Sequence, residues 1–588
     1  MENLKMDILL KVFMLLGGLA FFLYGMNVLS GGLSKLAGGA LERSLKKMTS
    51  NRFAAMGLGI GITIAIQSSS AMTVMLVGLV NSGIMTLGQT IGVIMGSNIG
   101  TTLTPWIFSL SGIDGSGWIS LLKPEVFSLA VAFVGIVMIM VARKSRQKDI
   151  GSICVGFAVL MYGMKLMGDS VAGLENSPVF GQFISIFANP LLGVLFGAVV
   201  TGIIQSSAAS VAMLQALALG GGISYQIAIP IIMGQNIGTC VTAVISSIGV
   251  SQNAKKVSVV HIVFNLIGTS IGLLLFFSLN SIFHFGFASM PIDAAGIALV
   301  HTVFNIFTTT ILLPFTAQLE KIANCLVKSS RKDHGAVFLD ERLLRTPSVA
   351  VAESFSMTCK MADLTQAAIS SAMEQFDHYS AQKAEQILKQ EDELDKFEDN
   401  LGSFLVQLSS KALAEKDSRQ SSRVLYAIGD FERMGDHAVQ LLKGAEEMHT
   451  KKITFSEGAQ KEINLLTEAV EEIVSLTVRA FKTNDSALAQ RVEPLEQVID
   501  SLLTKAKAGH IERLQSGKCT IQTGFVQADL LTNFRRISDH CSNIAVAVIE
   551  LQEGAFETHQ YLTETKESGG NHFAEYFKEY AAKYGVRA

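Results

Sequence analysis

Gln67-Ser68-Ser69-Ser70-Ala71, a polar phrase inside an apolar stretch, returns 138 residues later as Gln205-Ser206-Ser207-Ala208-Ala209. The same offset carries Gly96-Ser97-Asn98-Ile99-Gly100-Thr101 to Gly234-Gln235-Asn236-Ile237-Gly238-Thr239, and Tyr24-Gly25-Met26 to Tyr162-Gly163-Met164. The copy is therefore ungapped from about Tyr24 to Thr104. Two apolar halves, each broken by one hydroxyl-rich phrase, predict an all-α polytopic membrane protein whose site lies between inverted repeats.

Only 25 of the 97 charged residues precede residue 321, and no charge falls between Phe53 and Ile113 or between Asn176 and Ala254. Each run is long enough for more than one crossing of a bilayer. No basic block suggests nucleic acid. The six cysteines show no CxxC spacing and read as free thiols in a reducing compartment. A signal peptide is rejected, because the first apolar run contains Tyr24-Gly25-Met26, which belongs to the repeat.

Basic residues sort to one side. Lys35, Arg43, Lys46, Lys47 and Arg52 follow the first span, and Arg143, Lys144, Arg146 and Lys148 separate the repeats. Lys255 and Lys256 come later, and Lys321, Lys328, Arg331 and Lys332 follow the last span. The positive-inside rule makes all four groups cytoplasmic and the N-terminus external. Spans are expected near 8–29, 85–110, 126–142, 150–167, 227–248, 257–279 and 294–314, with an amphipathic segment near 31–50 on the inner surface. Loops near 114–123, 169–190 and 284–293 lie outside. Stretches near 53–80 and 191–219 must enter and leave on one side, as re-entrant helical hairpins with the serine phrases at their tips. Three full crossings per repeat turn the second copy upside down.

A hairpin tip ends one half-helix and begins another, so it offers bare carbonyls at one end and amide N–H groups at the other. An oxyanion fits the N–H ends, and a small cation fits the carbonyl and hydroxyl oxygens. No Lys, Arg, Asp, Glu or His lies in either hairpin. A divalent oxyanion there needs companion cations, and sodium suits the site better than protons. Asn98, Thr101, Thr102, Asn236 and Thr239 recur at the serine offset and are expected around the same centre. The phrases His261–Asn265 and His301–Asn305 read as interhelical hydrogen-bonders.

Paired Gln-Ser-Ser phrases, each followed by Gly-x-Asn-Ile-Gly-Thr, resemble the type II sodium-dependent phosphate cotransporter family over roughly residues 8–315. The resemblance implies alternating access, with phosphate and sodium at Gln67, Ser68, Ser69, Ser70, Gln205, Ser206 and Ser207, and Asn98, Thr101, Thr102, Asn236 and Thr239 lining the centre. Ala208 stands where the first copy has Ser70, so the two halves are chemically unequal.

From about Glu341 the pattern is helical and polar-faced. Phe431-Glu432-Arg433-Met434-Gly435-Asp436-His437 returns 103 residues later as Phe534-Arg535-Arg536-Ile537-Ser538-Asp539-His540. This half resembles PhoU-type regulators, which implies two three-helix bundles and carboxylates that can hold a divalent metal. The matching residues are Glu391, Asp395, Glu432, Asp436, Glu496, Asp500 and Asp539, although Arg535 replaces an acid in the last phrase. Spacing of four sets each pair on one helix face.

The expected organisation is a first repeat over 1–148, a second with two further spans over 149–318, a linker over 319–340, a cytoplasmic helical domain over 341–562 and a tail over 563–588. The expected function is sodium-coupled phosphate symport in a bacterial inner membrane, without enzymatic chemistry and with no cofactor beyond sodium and that metal. Phosphate export by the same fold and phosphate sensing with little flux stay open, as does a homodimer.

Overall fold

The protein's structure is a computed structural model that describes residues 2–48, 51–110, 124–172, 178–219, 222–328, 339–411, 413–553 and 571–586. The described residues are almost entirely helical and divide into two compact units, Met1–Val349 and Ala350–Ala588. The expected loop at 114–123, Arg331 and Lys332 lie outside the described residues, as does the tail up to 570.

The first unit opens with α1, Glu2–Met48, one unbroken helix. The expectation of a separate amphipathic segment at 31–50 is corrected here. No proline interrupts that stretch, and Gly32 lies against Ile153 while Lys35 reaches Asp149 at 3.9 Å, so packing carries the helix onward. Its partner is α7, Ser145–Val171. A Cβ on Gly18 would stand 2.9 Å from the Gly163 carbonyl oxygen, and one on Gly156 would stand 3.0 Å from that of Gly25. Gly18 and Gly25 are the copies of Gly156 and Gly163, so the two helices cross head to tail about a local two-fold. Backbones this close require glycine. This contact establishes the inverted relation of the repeats directly.

Each repeat continues with a helical hairpin. In the first, α2 is Arg52–Ile66 and α3 is Ser69–Asn81, of 15 and 13 residues. At about 1.5 Å per residue each spans roughly 20 Å, short of a ~30 Å hydrocarbon layer. Further helices are α4 (Leu87–Thr101), α5 (Leu103–Ser109) and α6 (Pro124–Val141). The second repeat has α8 (Pro178–Ile186), then the hairpin α9 (Pro190–Ile204) and α10 (Ser207–Leu219), then α11 (Tyr225–Gly238) and α12 (Cys240–Ser246). Glycines again bring matching pairs together: Gly59 and Gly197 abut the Val93 and Ile231 carbonyls, and Gly96 and Gly234 abut those of Met56 and Val194.

One further expectation changes. The loop expected at 169–190 contains α8, whose apolar residues and N-terminal Pro178 suit a short helix. The spans expected at 85–110 and 227–248 run on through Thr102 and Thr239, both right-handed helical, whose hydroxyls bond back to the Ile99 and Asn236 carbonyls at 2.8 and 2.6 Å. The unit closes with α13 (Gln252–Phe283), α14 (Ala294–Leu312) and α15 (Thr316–Leu326).

A short segment after the last span seals the first unit. Asp340 accepts from Asn81 Nδ2 at 2.6 Å and pairs with Arg342 at 2.9 Å. Arg342 also donates to the Ser246 and Ile248 carbonyls, both at 2.7 Å. Leu343 is fully buried. Residues 340–345 thus tie the end of α3 to the end of α12, and the boundary of the unit falls beyond them.

The second unit holds α16 (Pro347–Glu374, which begins in the first unit), α17 (Ala381–Ser409) and α18 (Glu415–Lys451), then α19 (Glu457–Thr483), a short α20 (Ser486–Ala489), α21 (Val492–Gln515) and α22 (Ile521–Glu553). A last helix, α23, is Asn571–Tyr584. Phe431 and its copy Phe534 are fully buried on α18 and α22. His437 meets Asn533 at 2.9 Å and His540 donates to Asp430 at 2.8 Å. Asp430 and Asn533 are themselves copies 103 residues apart, so the bonds are exchanged reciprocally between the two bundles.

Candidate functional site

Both hairpin tips share one backbone solution. Gln67 and Gln205 are left-handed, with φ of 57° and 58°, and each donates its N–H to the fourth residue back, Thr63 or Thr201, at 2.7 Å. A non-glycine residue there marks a position held by its surroundings. The next residue caps the following half-helix: Ser68 Oγ accepts from Ala71 N at 3.1 Å, and Ser206 Oγ accepts from Ala209 N at 3.2 Å. Each capping hydroxyl keeps its own proton to donate. The N–H groups of the two residues after each cap have no helical acceptor and point along the positive end of the helix dipole.

The tips differ in how they are held. Gln67 donates Nε2 to the Ile64 carbonyl at 2.8 Å and accepts from Thr104 Oγ1 at 2.7 Å, so one donor and one lone pair of its amide hold the tip. Ser30 Oγ takes the Ile66 carbonyl at 2.5 Å. Gln205 is exposed and has no side-chain hydrogen bond among the described residues. Ser69 and Ser207 are buried at matching positions, and Ser70 is half-buried where Ala208 is buried.

Helix α5 stands between the two hairpins. Thr104 bonds the first tip, and Phe108, one turn on, packs in the same apolar cluster as Ala208 and Ala209 of the second. Between them the Pro105 carbonyl accepts from Gln215 Nε2 at 3.0 Å, and that fully buried amide also donates to the Ala294 carbonyl at 2.8 Å. Thr104 and Gln215 were not singled out from the sequence. Thr104 could have been, because its copy Thr242 lies at the same offset.

The recurring asparagines face the two late helices. Asn98 Nδ2 donates to Asn265 Oδ1 at 3.0 Å, and Asn236 Nδ2 donates to Asn305 Oδ1 at 2.9 Å. Thr101 Oγ1 donates to the Ser97 carbonyl at 3.0 Å, as Thr102 and Thr239 do to theirs. Their protons are used, but the oxygens retain lone pairs for a cation. Each tip thus offers amide N–H groups that could meet an anion, and the recurring Asn and Thr side chains offer neutral oxygens that could meet a cation.

In the second unit, carboxylate oxygens of Glu391, Asp395 and Asp436 lie within 4.8 Å of one another. Partial burial, then the charge of Asp395 on Glu391 and of Asp436 on Asp395, holds both above the usual carboxylate range, and burial followed by Asp436 does the same for Glu432. The close approach of Glu391, Asp395 and Asp436, with Glu432 adjoining, is a donor set that could hold a divalent cation. The other bundle differs: Arg535 pairs with Asp500, and Arg536 lies 3.9 Å from Asp539. Glu496 stands outside the compact acid group.

Residues 21–169 and 160–299 each match the Na+/Pi-cotransporter family, and residues 358–445 and 463–548 each match the PhoU domain. YjbB of Escherichia coli (strain K12), named for inorganic phosphate export, is 23% identical over 554 residues, covering 92% of this chain and 98% of its own. The sodium-dependent phosphate transport protein 2A of Rattus norvegicus is 41% identical over 105 residues, which are 17% of this chain and 16% of its own. A PhoU homolog of Aquifex aeolicus (strain VF5), named as a phosphate-specific transport system accessory protein, is 27% identical over 220 residues, 37% of this chain and 96% of its own.

Proposed function

This integral membrane protein joins a member of the Na+/Pi-cotransporter family to a C-terminal PhoU domain, and on that premise we propose that it moves inorganic phosphate together with sodium by alternating access. The observation that carries the reading is the pair of matched tips, each presenting a capped half-helix start, placed on either side of α5. Phosphate is held by the free N–H groups of residues 69–70 and 207–208 and by the hydroxyls of Ser68, Ser69, Ser70, Ser206 and Ser207. Sodium ions supply the charge that no lysine or arginine provides, held by oxygens of Asn98, Thr101, Thr102 and Thr239, with Asn236 lining the same centre. The inverted repeats let the site open to either side by rocking one hairpin pair against the other.

Net flux can run outward, and YjbB, named for export, aligns with this chain across both halves. The positive-inside rule applied to the basic groups supports an external N-terminus and a cytoplasmic PhoU domain, in a bacterial inner membrane on this reading. There the PhoU domain regulates transport, with a divalent cation on Glu391, Asp395, Asp436 and the adjoining Glu432, and Arg535 filling the corresponding role in the second bundle.

Phosphate flux into proteoliposomes, measured against sodium, potassium and proton gradients, tests the proposal. Saturable uptake driven by sodium alone is expected. The double variant Ser68→Ala with Ser206→Ala should fold but abolish flux. Tight phosphate binding without flux would replace transport by sensing.

A further inference from the structure

His301 and its counterpart His261 sit in matched phrases on α14 and α13, both fully buried, yet only one of them reaches the central asparagines with its ring. The hydrogen-bond polarity around His301 is fixed by a single backbone carbonyl. The His301 carbonyl can only accept, so the Asn305 atom 2.8 Å from it is Nδ2. Asn305 then turns Oδ1 toward Asn236, which must donate with its own Nδ2, at 2.9 Å. Asn236 Oδ1 is left facing His301 Nε2 at 3.2 Å. An amide oxygen cannot donate, so His301 carries its proton on Nε2, and the three side chains close a ring. Its Nδ1 is then an unprotonated acceptor, fully buried and without a partner.

The first half repeats this chain and stops one step earlier. Asn265 Nδ2 donates to the His261 carbonyl at 3.0 Å, and Asn265 Oδ1 accepts from Asn98 Nδ2 at 3.0 Å. Among the described residues no group donates to Asn98 Oδ1, and the His261 ring makes no bond to it. The two asparagines therefore make the same amide bond and differ in what meets their oxygens. Asn98 is locked with an open oxygen, whereas Asn236 has its oxygen covered by a proton.

We infer that His301 is a positioning residue that withholds the Asn236 oxygen from cations, so that the asparagine contribution to sodium binding comes from the first repeat alone. This rests on the sodium-coupled reading above. The donated proton takes one of the two lone pairs of Asn236 Oδ1 and draws off its charge, so a sodium ion is held there more weakly while the ring stays closed. The asymmetry runs parallel to Ser70 against Ala208, where the first repeat again offers the extra oxygen.

The test is the sodium dependence of thermal stability, read on detergent-purified full-length protein in sodium chloride against choline chloride, alongside phosphate flux. His301→Phe keeps the ring volume, deletes the Nε2–H and removes an unpartnered acceptor. It should lower the sodium concentration at half-maximal stabilisation by about fivefold, the worth of one net hydrogen bond. His301→Gln, whose amide can still donate, should restore the original midpoint. His261→Phe should leave it unchanged, since only the backbone carbonyl of that residue takes part. An unchanged midpoint in His301→Phe, or an equal shift in His261→Phe, overturns the inference, as does a wild type that ignores sodium. Phosphate flux with no sodium effect on stability would sink this inference and spare transport. A sodium midpoint that shifts as described, without any phosphate flux, would spare this inference and sink transport.

Discussion

Gln67 shows how a residue chosen for its chemistry can be serving geometry. Its left-handed backbone and doubly bonded amide make it the pin of the first tip, while Gln205, in the same backbone state, leaves its side chain exposed. Thr104→Val keeps volume but removes the donor to Gln67 Oε1. The cost of leaving that oxygen unpaired is about 1–3 kcal/mol. A fall in unfolding temperature with a matching loss of flux is expected, and Thr242→Val should do less, because Thr242 Oγ1 bonds the Thr239 carbonyl on its own helix. At this scale the sequence announced which types recur but not which are spent on structure, since hydrogen-bond partners are set by packing. The acid group illustrates the same limit. Spacing proposed Glu391, Asp395, Glu432, Asp436, Glu496, Asp500 and Asp539 alike, and the fold gathers only the first set. Carboxyls with raised folded-state values favour folding below the ordinary carboxylate range and lose that contribution as pH rises through the raised values. A divalent cation reverses this at neutral pH. Manganese or magnesium should therefore raise the unfolding temperature near neutrality and lose its effect toward pH ~4. Asp436→Asn should abolish the metal-dependent shift; an undiminished shift would remove the cation from this cluster.

Among elements, the hairpins were legible because two short apolar stretches flanked a polar phrase twice, at one offset. The crossing of α1 with α7 was less so. Its glycines are visible in the sequence, but nothing local says that copies 138 residues apart face each other. Inversion followed only from counting crossings, and the antiparallel glycine contact supplies it physically. The continuity of α1 was missed because a polar turn of sequence reads as a surface segment when its packing against α7 is unseen. Gly25→Leu would place a side chain against the Leu160 backbone, where only hydrogen fits. Overpacking there should cost about 1–3 kcal/mol or more, seen as a lower unfolding temperature in detergent. Gly17→Leu, where a Cβ meets nothing within 4 Å, is the matched control and should leave stability unchanged. Equal loss in both would mean that the glycines serve membrane insertion rather than this crossing.

For the whole molecule, composition divides the chain into an apolar and a charged part, and the first compact unit reaches into the charged part. Charge density rises at about residue 321, whereas the first compact unit runs to Val349. The difference includes residues 340–345, the end of the expected linker and the start of the expected helical domain, which act as a clasp. Asp340 is 3% exposed and balanced by Arg342, so separating the two leaves a buried carboxylate without its counter-charge. Breaking such a pair costs about 3–5 kcal/mol. Two truncations distinguish a clasp from a tether. A chain ending after Val349 keeps Asp340, Arg342 and Leu343 in place and should transport phosphate with the stability of the membrane half intact. A chain ending after Asp340 keeps the carboxylate and loses the guanidinium that also holds the Ser246 and Ile248 carbonyls. It should unfold at a distinctly lower temperature and lose flux, although it lacks only nine more residues. The substitution Arg342→Ala in the full chain should reproduce that loss. If both truncations behave alike, the ends of α3 and α12 hold without the clasp, and the membrane half is complete before residue 340.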